Sequence, residues 1–344
     1  MLKPSHTNPV SATLAGLGQR VPGLRKLMGR SARRQQPPEC AALSACMQRA
    51  LQQSTKFGGQ SLVTGATSGL GQAVARQLSK LDSPLVLPTR GARRPLGLSA
   101  PALVFPVDFA DLSTLPRLVE QLEPRSLDLV VLNAGVMTRS SRATSQGLES
   151  MFGVNYLATF AFLRQLLAAE RLRPAASTRV VIVSSEAHRS AAPLDLSRLG
   201  AWVDFGSLTG MRQYAHSKLL LCAFATELAR RLDPKAACVW SLCPGPVNSR
   251  IAREAPRAVQ PALDLVMRLG FRSPEAAARP VVALGVHPCF EGASGHYFHV
   301  EECKAVSAQA SDPRLGRDLW EASEALLDRL GHGVAPPAPI YLRS

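Results

Sequence analysis

The sequence is poor in most features that would take it away from ordinary globular chemistry. Its 344 residues hold no apolar run near the ~20 that span a bilayer, which argues against an integral membrane helix. Aromatic residues make up only 5%, and no RNA-binding aromatic motif, zinc-finger spacing or helix-turn-helix pattern occurs. Nucleic acid is therefore not the expected partner, despite a net charge of +15. No G-x-S-x-G nucleophile elbow is present, which argues against a common class of hydrolase. The seven cysteines, at 40, 46, 222, 238, 243, 289 and 303, include no C-x-x-C pair. An odd count in so large a chain predicts reduced thiols rather than a disulfide framework, and a cytoplasmic compartment with them. Lysine is scarce as well, seven residues against 33 arginines.

The charge that is present is divided unevenly. Residues 1–60 carry nine bases and one acid, Glu39, whereas the remaining residues carry 31 bases and 24 acids. Residues 1–56 mix Pro, Gly, Ser, Gln and Arg and read as a basic N-terminal extension. Within it Leu14, Leu17, Val21, Leu24, Leu27 and Met28 recur at helical spacing with bases between them. Three readings stay open: weak contact of residues 14–34 with an anionic membrane surface, organelle targeting, or a solvated tail. A short helix is expected over 40–53.

From Ser61 onward the pattern changes. Short apolar runs at 61–64, 85–87, 103–107, 127–132, 179–183 and 238–242 read as strands. Helical stretches at 71–80, 147–170 and 211–232 alternate with them. This alternation predicts an α/β fold: a Rossmann-like, doubly wound parallel sheet with helices on both faces. A single catalytic domain is expected over 57–335, followed by a tail over 336–344.

The first strand runs into Thr64-Gly65-x-x-x-Gly69-x-Gly71, which opens a helix. Unpartnered backbone N–H groups and the helix dipole make such a turn a phosphate site. Gly65 allows the tight turn, Gly69 lets a pyrophosphate approach, and Gly71 lets helix and strand pack closely. Thr67, Ser68 and Leu70 complete the candidate cradle. Asn133-Ala134-Gly135 ends the fourth strand, Ser184 and Ser185 end the fifth, Pro244-Gly245 ends the sixth, and Tyr214-x-x-x-Lys218 opens a long helix. These are the carboxyl ends of strands or positions just beyond, where open α/β sheets bind ligands.

In these motifs the chain resembles the short-chain dehydrogenase/reductases, over residues 59–330. The runs Val131–Met137, Ser184–His188, Tyr214–Lys218, Pro244–Ser249, Ser294–Phe298 and Leu319–Glu324 resemble the retinol-dehydrogenase-like branch. The resemblance implies a nicotinamide-dependent oxidoreductase that interconverts an alcohol and an aldehyde or ketone, with a lipophilic substrate. It implies Tyr214 as acid/base, Lys218 as its partner and ribose ligand, Ser185 as the group that polarises the carbonyl, and Asn155 as support for a water relay. It also implies nucleotide contacts from Asp108 to the adenine, from Asn133, Ala134 and Gly135 along the cavity, and from Pro244, Gly245, Val247 and Ser249 near the carboxamide. A homodimer or homotetramer through 150–170 and 211–232 follows from the same resemblance. A dinucleotide-binding sensor without turnover is the alternative function.

The chemistry of the Tyr-Lys pair is independent of any relative. Residues i and i+4 share one helix face, so Lys218 lies near Tyr214. A cation stabilises phenolate, and lysine can pass on a proton whereas arginine cannot. At the end of the second strand an acid would favour NAD(H), but here Arg90 stands, with Arg93 and Arg94 after it. Arginine pairs well with a 2′-phosphate, so NADP(H) is expected over NAD(H).

Gly91, Pro95, Gly97 and Pro101 predict that no helix forms between Arg90 and Asp108. Leu263, Val266, Met267 and Leu269 predict an amphipathic substrate lid within 250–275, and residues 187–212 should line the rest of the pocket. His296 and His299, with Glu301, Glu302 and Cys303, form a tempting metal set. Strand alternation separates the two histidines, however, and no metal is expected.

Overall fold

Residues 38–53, 55–207, 209–247 and 272–344 are described by the computed structural model. Ser249, residues 14–34 and the expected lid before Arg272 lie outside them. The six apolar runs become strands β1 (Gln60–Val63), β2 (Leu85–Thr89), β3 (Ala102–Pro106), β4 (Leu127–Leu132), β5 (Arg179–Val183) and β6 (Cys238–Cys243), and two more follow, β7 (His296–His299) and β8 (Glu302–Lys304). They form one sheet in the order β3-β2-β1-β4-β5-β6-β7-β8. Neighbours through β7 pair in parallel, and β8 returns antiparallel to β7. The order reverses between β1 and β4, leaving the crevice in which doubly wound sheets bind ligands.

Helices cover both faces of the sheet: α1 (Pro38–Gln52), α2 (Gly69–Ser79), α3 (Leu115–Gln121), α4 (150–168), α5 (Gly210–Arg231), α6 (Pro274–Val286) and α7 (Pro313–Arg329). Helix α4 is built from Ser150–Phe152, a wider π-helical turn Gly153–Leu157, and Ala158–Ala168. Strand alternation divides the core cleanly. Leu62, Val130, Val180 and Ile182 face the layer of α3, α4, α5 and α7. Val63, Leu129, Val131 and Val181 face the layer of α1, α2 and α6.

Helix α1 belongs to this body, although its composition assigns it to the extension. The compact unit begins at Pro38. Cys40, Leu43, Cys46, Met47 and Ala50 are buried in the second core layer. The expectation of uniformly reduced thiols is corrected here. Cys40 is bonded to Cys303 and Cys46 to Cys289, while Cys222, Cys238 and Cys243 are free and buried. The partners lie 263 and 243 positions apart, so spacing along the chain carries no sign of them.

Between β2 and β3 the expected absence of a helix holds. A tight turn at Arg90–Ala92 leads into an irregular segment held against α2. Arg76 Nε donates to Leu96 O at 2.8 Å, and Ser79 Oγ accepts the N–H of Ala100 at 2.7 Å. With no helix laid over it, Leu103 of β3 stays 57% exposed.

The first core layer is closed by α7. Trp320 packs edge-on against Phe160 at 5.2 Å between ring centroids, and lies 5.9 Å from Phe224. The guanidinium groups of Arg231 and Arg164 stand 4.3 and 4.8 Å from its ring. The tail docks too: Leu342 bridges to Leu232, and Tyr341 is buried. As a result no residue of Ser150–Ala168 is exposed, and none from Gln213 to Arg231. Residues of α7 and the tail pack over part of these helices, the ranges expected to join two subunits. Among the described residues no helix is long and apolar enough to cross a membrane. Trp320→Ala should lower the unfolding free energy by about 3–5 kcal/mol, as truncating a buried aromatic does. Urea unfolding checks this; an unchanged midpoint would show that α7 does not seal the layer.

Candidate active site

The site grows from the ends of β1 and β4. Thr64 Oγ1 accepts the N–H groups of Asn133 and Ala134 at 2.9 and 2.8 Å. Asn133 returns the bond through Nδ2, donating to Thr64 O at 3.0 Å. Gly65 follows with φ +67°, and a Cβ there would meet Asn133 Nδ2 at 2.9 Å and Ala134 Cα at 3.0 Å. A Cβ on Gly71 would overlap the Gly65 carbonyl. At Gly69, by contrast, the space is open. Ser68 makes no side-chain cap to α2, so the first N–H groups of that helix receive none from it. Thr67, Ser68 and Leu70 are half-buried around the opening. A helix N-terminus opened by glycines without crowding atoms suits a phosphate group.

On the other side of the crevice, β5 delivers Ser184 and Ser185. Alternation sends them apart, as expected. Ser184 is buried against α5, where its hydroxyl meets Lys218 O at 3.3 Å and Cys222 Sγ at 3.0 Å. Ser185 accepts the N–H of Ala187 at 3.2 Å and hydrogen-bonds the Tyr214 side chain. His188 Nδ1 bonds Ser185 O at 2.7 Å, and its Nε2 accepts the N–H of Ser307 at 3.1 Å. Both ring nitrogens are thus engaged with backbone, which makes His188 a brace for the serine rather than a proton shuttle.

Helix α5 supplies the pair at one turn's spacing. Lys218 Nζ stands 5.6 Å from the centre of the Tyr214 ring and donates to Val183 O at 3.1 Å. Burial lowers the Lys218 pKa to about 8. Burial also raises the Tyr214 phenol above its ordinary value, and the bond from Ser185 offsets this only in part. In this state desolvation outweighs any help from Lys218, so the phenol stays protonated at neutral pH.

Asn155 sits in the π-helical turn of α4, fully buried. Its Oδ1 accepts the N–H of Val136 at 2.7 Å. Its Nδ2 donates to Val136 O at 2.9 Å and to Ser217 Oγ at 3.1 Å. The amide therefore clamps the chain that follows Gly135 onto α5. A Cβ on Gly135 would come within 3.2 Å of Asn155 Oδ1 and 3.9 Å of Lys218 Nζ. Ser217 and the Val183 carbonyl were not singled out by their residue types. Ser217 lies inside the Tyr-x-x-x-Lys span, which is the signal that marks it. Cys243, at the end of β6, is buried as a free thiol.

The remaining candidates lie along the same edge of the sheet. Arg90, Arg93 and Arg94 are exposed beyond β2. Asp108 Oδ1 accepts the N–H of Ala110 at 2.9 Å. Pro244 and Gly245 continue β6; Gly245 has φ +78° and packs against Val300. Val247 bridges to Arg272, whose N–H donates to Pro246 O at 2.8 Å.

Comparison with known proteins agrees with this arrangement. The sequence pattern of the short chain dehydrogenase family matches residues 60–195. Dehydrogenase/reductase SDR family member 13 of Bos taurus is 34% identical over 287 residues, spanning 78% of this chain and 73% of that protein. Retinol dehydrogenase 14 of Mus musculus is 31% identical over 296 residues, spanning 77% and 85%. Polyprenol dehydrogenase of Mus musculus is 33% identical over 285 residues, spanning 76% and 82%. Among solved structures, an uncharacterized protein from Mycobacterium Paratuberculosis superposes with a TM-score of 0.62 at 24% identity, covering 84% of this chain and 98% of that one. A short chain dehydrogenase from Burkholderia cenocepacia in complex with NADP gives 0.53 at 21%, covering 72% and 98%. With the crevice, the glycine turn and these relatives together, the chain belongs to the short-chain dehydrogenase/reductase family, on its retinol-dehydrogenase-like side, and is an oxidoreductase.

Proposed function

We propose that the protein is an NADP(H)-dependent reductase or dehydrogenase of a lipophilic aldehyde/alcohol or ketone/alcohol pair. The meeting of Ser185, Tyr214 and Lys218 beside the glycine turn carries this reading. When bound, the nicotinamide supplies or accepts the hydride. The chain's own residues handle the proton. Ser185 orients the carbonyl oxygen by hydrogen bonding, and Tyr214 Oη gives that oxygen its proton. A phenol kept protonated by burial suits this acid role, and hence the reductive direction. Lys218 holds the nucleotide ribose and balances charge that develops on Tyr214. Asn155 positions the Gly135 loop and the Lys218 side of α5, and a water relay beside it would connect Lys218 to solvent.

Gly65, Gly69 and Gly71 would hold the pyrophosphate, with Thr67, Ser68 and Leu70 beside it. Asp108, Asn133, Ala134 and Gly135 would line the adenosine and ribose side; Pro244, Gly245, Val247 and Ser249 would line the carboxamide side. Arg90 is the group that would recognise a 2′-phosphate. A lipophilic substrate is supported by Trp202, Val203 and Met211, exposed apolar residues within the 187–212 stretch. Relatives named for retinol and polyprenol, both long apolar alcohols, support it as well. Consumption of NADPH and NADH against panels of retinal, steroid, quinone and aliphatic carbonyls tests the whole reading. Cofactor binding without turnover across all of them would overturn it in favour of a sensor.

Tyr214→Phe should cut kcat by about 10²–10⁴-fold with nucleotide binding retained, as loss of a general acid does; full turnover in that variant would remove Tyr214 from the mechanism. Arg90→Ala should weaken NADP(H) about tenfold or more and leave NAD(H) unchanged, because only the former loses a charge-assisted bond. Equal loss for both would assign Arg90 no role in the choice. The Lys218 ammonium is complete below about 8 in the free protein and is lost as pH rises through that value. Nucleotide affinity should therefore fall above this pH, by up to about tenfold per unit, if only the charged form binds. Titration calorimetry across pH 6.5–9.5 measures it, and Lys218→Arg should flatten the profile.

A further inference from the structure

Helix α1 is tied to β8 and to the segment after α6, and each tie holds an imidazole beside its two sulfur atoms. At the first, Cys40 of α1 and Cys303 of β8 are joined by His296 of β7. Glu39, next to Cys40, places Oε2 3.3 Å from His296 Nε2. At the second, Cys46 of α1 and Cys289, just after α6, are joined by His287. In each trio the potential ligand atoms lie within 4.8 Å of one another. A plain disulfide clamp has no use for an imidazole, yet both clamps have one.

The second trio also orients its ring. His287 Nδ1 accepts the Cys289 N–H at 3.3 Å and lies 2.9 Å from Cys289 Sγ. The other ring nitrogen, Nε2, bonds Gln53 Oε1 at 3.1 Å. That sets the tautomer: Nε2 donates to Gln53, and the Nδ1 lone pair, which accepts the Cys289 N–H, lies beside Cys289 Sγ. A metal-binding histidine is usually held in this way by a partner on its outer nitrogen. Strand alternation does keep His296 apart from His299, as read from the sequence; α1, from the other end of the chain, brings Cys40 to His296, and β8 brings Cys303.

We propose that the two Cys-Cys-His clusters are redox-gated zinc sites. With the disulfides closed, neither cluster has thiolates to offer. A dithiol reductant opens each bond: it gives two electrons and two protons, leaves two cysteine thiols, and is itself oxidised to a disulfide. One Zn²⁺ then enters each cluster and displaces the two thiol protons. Two thiolates and one neutral imidazole bind the ion, with Glu39 as fourth ligand at the first site and water at the second. Two tetrahedral Zn–S bonds of about 2.3 Å put the sulfurs roughly 3.8 Å apart. The Cα atoms stand 5.0 and 6.2 Å apart, so side-chain rotation supplies this separation. Either state pins α1 to β8 and to the end of α6, so the helix stays docked through the exchange.

The test uses the full chain. It is reduced anaerobically with a dithiol, incubated with Zn²⁺, freed of unbound metal, and assayed by elemental analysis beside an oxidised sample. Two zinc ions per reduced chain and none per oxidised chain are expected. His287→Ala and His296→Ala should each remove about one ion, while Tyr214→Phe should keep both. Cobalt(II) added to the reduced wild-type chain should give thiolate charge-transfer and tetrahedral ligand-field absorption, a readout that needs no variant. A reduced chain that takes up no zinc and shows no cobalt–thiolate absorption would overturn the proposal. So would two zinc ions retained after both histidines are replaced.

Discussion

The hydrogen bonds between Thr64 and Asn133 are the constraint on which the rest of the structure depends. β1 and β4 pair in parallel up to Val63 and Val131, and the strand order reverses between them. One hydroxyl accepts two backbone N–H groups from the β4 end, and one amide donates back to the β1 end. The exchange fixes the two strand ends relative to each other. It also fixes the direction in which the glycine turn leaves β1. Without it the close approach of Gly65 and Gly71 would have no rigid wall to pack on.

A second polar relay extends that frame to Lys218 and Ser185. Asn133 leads through Ala134 and Gly135 to Val136, whose N–H and carbonyl are both held by Asn155. Asn155 reaches Ser217, one residue before Lys218. Lys218 in turn reaches the carbonyl of Val183, two residues before Ser185. The crevice is therefore framed by directional bonds between buried groups, each costly to leave unpaired. The wider helical turn at Gly153–Leu157 belongs to this frame, since it carries the asparagine that links α4 to the β4 loop.

Much of this was legible in the sequence because it rests on local signals. The strands β4 and β5 matched their mostly apolar runs, and β1, β2, β3 and β6 fell within one or two residues of theirs, whereas β7 and β8 had no run of their own. The glycine turn, the Asn-Ala-Gly end of β4 and the Tyr-Lys spacing each mark a single backbone requirement. Gly91, Pro95, Gly97 and Pro101 foretold the missing helix before Asp108. What stayed hidden depends on distance along the chain. Cys40 and Cys303 are neighbours only after the sheet is assembled, so counting cysteines misled. Helix α1 looked like part of a basic extension because it is short and follows seven bases without an acid, and its buried Cys40, Leu43, Cys46, Met47 and Ala50 show where it belongs. The pKa of Tyr214 was likewise beyond the motif: spacing brings Lys218 near, but the depth of the site decides which effect prevails.

The covering of α4 and α5 by α7 has a consequence for how the helix that carries Tyr214 and Lys218 keeps its order. Its outer face is buried by Trp320 and the docked tail, within the same chain. Where that face is sealed by a second copy, the integrity of the helix is bound to an association equilibrium and shifts with protein concentration. Here α7 and the tail of the same chain supply packing over that face, so part of the order of the Tyr214–Lys218 turn comes from contacts within the molecule.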